Sequence, residues 1–190
     1  MKLSILTPTL NQRIDSFLEL KQELWSQIVE NGAEEIIDIK KMSDNGVDSI
    51  GYKRNQLLQN SNAEYSVFFD DDDMPSSNYI KNILKALESK PDCCSLMGII
   101  TWDGKDGEIF EHSLRYKEYK TNPPTAGIRY ERYPNHLNVI KTEIGQQFRF
   151  LEVNHGEDTD WATQLFKSGL LKTESVITDV IYHYKFKTNK

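Results

Sequence analysis

Apolar and polar positions fall into short blocks along this chain, and the period within each block predicts its secondary structure. Residues 3–7 read as a short buried strand stopped by Pro8. Ile14, Phe17, Leu18, Leu24, Trp25 and Ile28 then recur at helical spacing around Lys21, and Asn31-Gly32 supplies the stop signal. Residues 35–39 form a second strand candidate, closed by the turn sequence Ser43-Asp44-Asn45-Gly46. Residues 51–59 predict a short helix carrying Lys53, Arg54, Leu57 and Leu58. Residues 65–69 (YSVFF) make a strong strand. Ser76 or Ser77 can cap the next helix, whose inward face is Ile80, Ile83, Leu84 and Leu87. A strand over residues 95–101, a helix over 157–168 ended by Gly169, and a last strand over 176–184 complete the pattern.

Strands and helices in alternation imply an α/β fold with a mostly parallel central sheet flanked by helices. Ligands of such sheets sit beyond the carboxyl ends of the strands. Residues 102–150, rich in Tyr, Lys, Arg, Asn and Pro, are expected to be loops and short strands on that binding side. Neither an internal repeat nor a linker interrupts the chain, so residues 1–190 are expected to form one domain.

Composition narrows the class. A chain of 190 residues with 38% apolar residues can bury a real core. The net charge of −6 argues against a protein built to coat nucleic acid or anionic membrane. Cys93 and Cys94 are the only cysteines and are neighbours, which suits a reducing compartment. No stretch approaches the ~20 apolar residues of a transmembrane helix. The expectation is therefore a cytoplasmic protein whose membrane contact, if any, is peripheral, at the inner membrane surface.

The chemistry concentrates in two carboxylate clusters. Asp70, Asp71, Asp72 and Asp73 directly follow the predicted strand 65–69. Like charges at that spacing repel and raise each other's pKa, and a divalent cation relieves the cost. Mg²⁺ and Mn²⁺ favour oxygen ligands, commonly one or two carboxylates together with substrate phosphates. An EF-hand loop is excluded, because the required Gly and closing Glu are missing. The second cluster, Glu157-Asp158-Thr159-Asp160, opens the last predicted helix. At helical spacing Asp158 shares the face of Trp161, Ala162 and Leu165, and Asp160 that of Thr163, Gln164 and Lys167. Asp158 is thus expected to point inward, where a carboxylate can act as general base toward an acceptor hydroxyl.

Four segments together resemble family 2 glycosyltransferases of the GT-A fold: LSILTPTLN at 3–11, GYKRNQLL at 51–58, YSVFFDDDDMP at 65–75 and GEDTDW at 156–161. They span nearly the whole chain in the family's order. The resemblance implies a nucleotide-sugar donor, a metal held by a D-x-D motif, and inversion at the anomeric carbon. It places nucleotide-sugar binding in residues 1–100 and the acceptor and catalytic part in 101–190. Thr7, Pro8 and Thr9 look like the family's base contact, and Asp44 like its base-recognising aspartate, although the usual Asp-Asp-Gly-Ser run is here Ser43-Asp44-Asn45-Gly46. Arg54 or Lys53 is placed to reach the nucleotide. Asp70 looks like the first aspartate of the D-x-D motif, facing ribose or metal, and Asp72 like the metal ligand. Asp71, beside the donor, and Asp73 are supporting or capping residues. The base role falls to Asp158, with Glu157 as its substitute or an acceptor contact. A late histidine completes the metal site in some members, which here points to His183 ahead of His155 and His136. Residues 132–138 are similar to the loop that lines the acceptor pocket.

The expected reaction is transfer of a hexose from UDP to a glycan or lipid-linked glycan, with Mn²⁺ or Mg²⁺ as cofactor. Two other readings stand beside it. A phage-type transferase acting on a modified base in DNA would use Arg129, Arg132, Lys185, Lys187 and Lys190 for phosphate contacts. A non-catalytic nucleotide-binding subunit would have no use for a base such as Asp158.

Overall fold

The computed structural model describes residues 2–188, apart from the side chain of Asp106, so Lys190 lies outside the described residues. In chain order the elements are β1 (Leu3–Leu10), α1 (Ile14–Glu30), β2 (Ile37–Asp44), α2 (Ile50–Gln59), β3 (Tyr65–Phe68), β4 (Met74–Pro75), α3 (Tyr79–Ala86), β5 (Cys93–Cys94), β6 (Leu96–Trp102), β7 (Lys105–His112), β8 (Lys120–Thr121), β9 (Ile128–Arg132), β10 (Ile140–Lys141), α4 (Thr142–Gly145), α5 (Glu157–Ser168), β11 (Glu174–Ser175) and β12 (Val180–Phe186). They build two sheets of six strands, ordered β11-β5-β10-β3-β1-β2 and β4-β12-β6-β7-β9-β8.

Both sheets are mixed, and the first keeps a parallel majority, three of its five pairings, as expected of the central sheet. Parallel pairing joins β1 to β2 and β3, and β5 to β11, but β10 runs antiparallel to β3 and β5. The reason lies in the connection: after β5 the chain passes into the second sheet and returns through β10 from the opposite side. Residues 102–150, expected as loops and short strands, supply β7, β8 and β9 of that second sheet.

Alternation along β1 sorts its side chains between two cores. Leu3 and Ile5 face α1, α3 and the second sheet, where they join Leu24, Ile28, Tyr79, Ile80 and Tyr182. Leu6 faces the other way, into a cluster with Leu57, Phe68, Phe150, Trp161 and Leu165 under α2 and α5. Each such side chain, fully buried, stabilises the fold by about 1.5–3 kcal/mol before entropy is counted. Pro8 does not stop β1, which continues to Leu10. Pairing with β3 ends at Leu6, so from there β2 is the only partner strand of β1 among the described residues, and an edge tolerates a residue without an N–H.

α1 differs in its buried stripe. Phe17, Leu20, Leu24, Gln27 and Ile28 are buried, whereas Ile14, Leu18 and Trp25 lie exposed on its flank. Gln27 also does the work expected of Ser76 or Ser77. Its amide donates to the Ser76 carbonyl (2.9 Å) and its oxygen accepts the N–H of Ile80 (3.2 Å), closing the start of α3 without a side-chain cap from Asn78.

Candidate active site

The parallel strands β1, β2 and β3 end side by side, bringing Thr9, Asp44 and Asp70 to one edge of the sheet. α2 runs beneath them. It begins with a cap, the Ser49 hydroxyl accepting the Tyr52 N–H at 3.2 Å. It then buries Lys53, Arg54 and Asn55, three polar side chains in a row. Burial of this kind demands partners, and each residue has them. Asn55 exchanges two hydrogen bonds with the backbone of Phe150, at 2.9 and 2.8 Å. Lys53 donates to the Thr9 carbonyl (2.9 Å) and pairs with Asp44. Asp44 also accepts the N–H groups of Asp48 (2.6 Å) and Gly46 (3.0 Å). The bond from Lys53, then that from Asp48, lower its pKa to about 2.

Arg54 is the centre of the site. Its side chain is 3% exposed, which excludes a surface salt bridge. It pairs with Glu157, donates to Asp70 at 2.9 Å and lies 3.1 Å from Nε2 of His136. The guanidinium also lies 5.8 Å from the ring centres of both Phe68 and Phe150. Burial, the largest single influence, pushes the Asp70 carboxyl up, but Arg54 and His136 together outweigh it and hold the group well below the usual carboxylate range.

The other aspartates divide into framework and cleft. Asp71 is buried and accepts a hydrogen bond from the Thr9 hydroxyl. Arg13 bridges Asp71 and Asp72, the latter at 3.0 Å. Asp73 accepts the Tyr182 hydroxyl (2.6 Å) and the Lys185 N–H (2.8 Å), tying β12 to the cluster. Burial, then the Asp70 charge, raise the Asp73 pKa to about 7. Asp71 and Asp73 are thus both held by side chains of the fold. Asp70, Asp71, Asp72 and Asp73 line a cleft of about 140 Å³ with Pro8, Arg13 and Lys185.

That cleft shares Ile50, Asp70 and Tyr184 with a larger cavity of about 590 Å³. The start of α5 forms one wall. Gly156, at φ 84°, turns the chain into the helix in a left-handed conformation that suits glycine. Glu157 is the innermost carboxylate, with a side chain 5% exposed against Arg54. Asp158, 35% exposed, stands at the cavity surface, less inward than its helical face predicts. Its Oδ1 accepts the Thr159 N–H at 2.8 Å, and its Oδ2 lies 3.9 Å from Nδ1 of His136. Asp160 is not on the cavity wall and accepts from Gln164 at 2.6 Å. Phe110, Tyr130, Tyr184 and Phe186 offer apolar faces opposite, and Arg132 and Lys187 add positive charge.

The expected residues therefore converge with some exceptions. Asp44, Lys53, Arg54, Asp70, Asp72, Glu157 and Asp158 surround one continuous opening or its immediate support. Thr7 and Thr9 are buried, so Pro8 is the residue of that trio on the cleft. His183 lies on neither cavity wall and hydrogen-bonds Ser76 at 2.9 Å. His155 lines the large cavity. Among the described residues no group of three or more His, Cys, Asp or Glu side chains is arranged to hold a metal ion by itself. Arg13 was not foreseen, because nothing in sequence sets the residue before a helix apart as a carboxylate bridge. His112 was also missed; it is buried, and that burial lowers its pKa to about 3.

Comparison with known proteins bears on this arrangement. Among solved structures, S. aureus TarS 1-349 in complex with UDP-GlcNAc superimposes with a TM-score of 0.67 at 17% identity, covering 100% of this chain and 60% of TarS. The TarS 1-349 structure with UDP gives 0.65 at 17% identity, covering 97% of this chain and 60% of that one. A further structure of TarS 1-349 gives 0.64 at 18%, with the same coverage. At this identity the likeness establishes the fold, and the chain spans about 60% of the length of these TarS structures. The GT-A architecture that the motifs implied is the one observed. Comparison with curated proteins finds no match. The profile of glycosyl transferase family 2 matches residues 8–153, which carry the strand-end aspartates and the buried cations of α2; the chain belongs to glycosyl transferase family 2.

Proposed function

We propose that this chain moves a hexose from a UDP-sugar to an acceptor hydroxyl on a glycan or lipid-linked glycan, with inversion and with Mn²⁺ or Mg²⁺ as cofactor. The observation that carries this reading is the placement of Asp158 and Asp70 on one cavity that opens into the aspartate cleft. Donor and acceptor then meet between two carboxylates with different surroundings. The TarS structures with UDP-GlcNAc and UDP support a uridine nucleotide as the donor's carrier.

The donor chemistry fits a hard cation: Asp70 and Asp72 offer carboxylate oxygens on the same cleft, and Arg54 keeps Asp70 ionised. Asp70 and Asp72 are the residues that would hold it. When bound, such an ion offsets the charge that builds on the leaving nucleoside diphosphate. Lys53 and Asp44 fix the ends of β1 and β2, where the nucleotide would rest. Asp158 takes the proton of the acceptor hydroxyl as its oxygen bonds to the anomeric carbon. The bond from that carbon to the diphosphate oxygen breaks, and the nucleotide leaves with the electron pair. The setting we propose is the cytoplasm, in keeping with two free, buried thiols at Cys93 and Cys94.

The test is a donor screen. The protein is incubated with Mn²⁺ and UDP-, GDP-, dTDP- and CDP-sugars, and nucleotide release is measured. Metal-dependent release from a UDP-hexose is expected. Absence of release and of binding with all donors would overturn the reading.

A further inference from the structure

His136 lies in the loop between β9 and β10, where the sequence offered it as a weak metal candidate. The loop is pinned firmly. The His136 carbonyl accepts the Phe68 N–H at 3.0 Å, Asn135 accepts the Leu137 N–H at 3.0 Å, and Asn138 donates to the Cys94 carbonyl at 2.9 Å. The ring is 5% exposed and sits between three charged groups on three segments: Arg54 of α2, Asp70 beyond β3 and Asp158 of α5.

Arg54 decides the ring's tautomer. A guanidinium nitrogen can only donate, and Arg54 lies 3.1 Å from Nε2, closer than the Asp70 oxygen at 3.7 Å, so Nε2 presents its lone pair to Arg54. The proton of the neutral ring is then on Nδ1. That atom is buried without a hydrogen-bond partner inside 3.5 Å, and Oδ2 of Asp158 is 3.9 Å away. The other Asp158 oxygen is already held by the Thr159 N–H.

We propose that His136 is a positioning residue for the base: its Nδ1–H orients Oδ2 of Asp158 toward the acceptor, with Arg54 fixing the tautomer through Nε2. The inference rests on Asp158 being the base. A 3.9 Å approach is long for a hydrogen bond, and contacts of this kind commonly tighten when substrate fills the site.

Two amide substitutions separate the ring's two edges. In His136→Asn the amide occupies the Nδ1 level and can still donate to Asp158. In His136→Gln it reaches the Nε2 level and can meet Arg54 alone. The assay is UDP release from UDP-GlcNAc with Mn²⁺, water acting as acceptor, beside calorimetric UDP affinity. We expect H136Q to lower kcat on the order of 10-fold or more with UDP affinity kept, as loss of an orienting partner does. H136N should retain several times the H136Q rate. Equal losses in both variants, with Asp158→Asn inactive, would overturn the His136 proposal and leave the base assignment standing. An Asp158→Asn variant that works at the wild-type rate would overturn both. ¹⁵N NMR of the wild-type histidines keeps the idea testable even where a variant fails to fold. A His136 ring protonated on Nδ1 supports it, and one protonated on Nε2 ends it.

Discussion

Asp158 and Asp160 both lie in the first turn of α5, where a carboxylate favours the helix dipole by about 0.3–1 kcal/mol. Dipole compensation alone would make them equivalent. The structure separates them: Asp158 lines the cavity beside His136, and Asp160 is bonded to Gln164 away from it. A general base acts in the chemical step and adds little to donor affinity. Asp158→Asn is therefore expected to keep UDP affinity while transfer falls by about 100- to 10,000-fold. Asp160→Asn should transfer at close to the wild-type rate and lose only a few tenths of a kcal/mol of stability, about the lower end of a dipole contribution. Rates and melting temperatures of the two variants decide it. Equal activity would make Asp158 a dipole residue, and Glu157 the next base to examine. Glu157 is a harder case, since removing it would leave Arg54 with an uncompensated buried charge.

At the scale of elements, α2 is the part that links donor side and base side. Its Gly51 donates to the Val153 carbonyl at 3.2 Å, and an added Cβ would collide with the backbone carbonyl of Leu151. Gly51→Ala must push away the segment that leads into Gly156 and Asp158. The expected cost is about 1–3 kcal/mol, read as a lower melting temperature, with activity falling beyond the loss of folded protein. An unchanged melting temperature would show that this segment yields freely. A different tie secures the first sheet. Asp92 pairs with Lys141 at 2.9 Å and accepts the N–H groups of Lys172 and Thr173 at 2.9 Å each, joining β5, β10 and the approach to β11. Burial opposes its ionisation, but these partners lower its pKa from 3.8 to about 2. A lowered folded pKa means that the carboxylate's stabilisation is present above pH 4 and is lost as pH falls toward 2. Asp92→Asn should flatten that part of the melting temperature's pH profile, and a profile parallel to wild type would contradict the pairing. These ties also show what was legible beforehand. Strand 65–69 and its aspartates could be read because they are contiguous, and the buried face of α5 because it is periodic. Arg13, the place of His136 between Arg54 and Asp158, and the β7–β9 part of the second sheet could not. They depend on contacts between distant segments, and in β7 both Phe110 and Glu111 are buried, so no alternation marks an inner face. The exposed Trp25 was misplaced for a related reason, as an apolar residue at helical spacing does not reveal which flank is covered.

The whole molecule is arranged as two sheets that share one opening. Asp73 ties β12 of the second sheet to the strand-end loop of the first through Tyr182 and Lys185, and Arg54 ties α2 to α5. A nucleotide in the aspartate cleft would touch both halves, and a ligand that binds only the folded chain stabilises it by mass action. At a free concentration of 100 times Kd the gain is about 2.7 kcal/mol. For a chain of 190 residues that corresponds to a rise of roughly 5–10 °C in Tm. UDP with Mn²⁺ is expected to give such a rise, and GDP, dTDP and CDP at the same concentration a smaller one. Asp72→Ala should abolish the metal-dependent part, because it removes a cleft carboxylate and leaves the Asp70–Arg54 pair intact. The variant's own Tm is compared without ligand first, since Arg13 loses one of its partners there. A full UDP response to Mn²⁺ in Asp72→Ala would remove Asp72 from the metal site. No response in the wild type to any of the nucleotides would place the donor elsewhere than in this cleft.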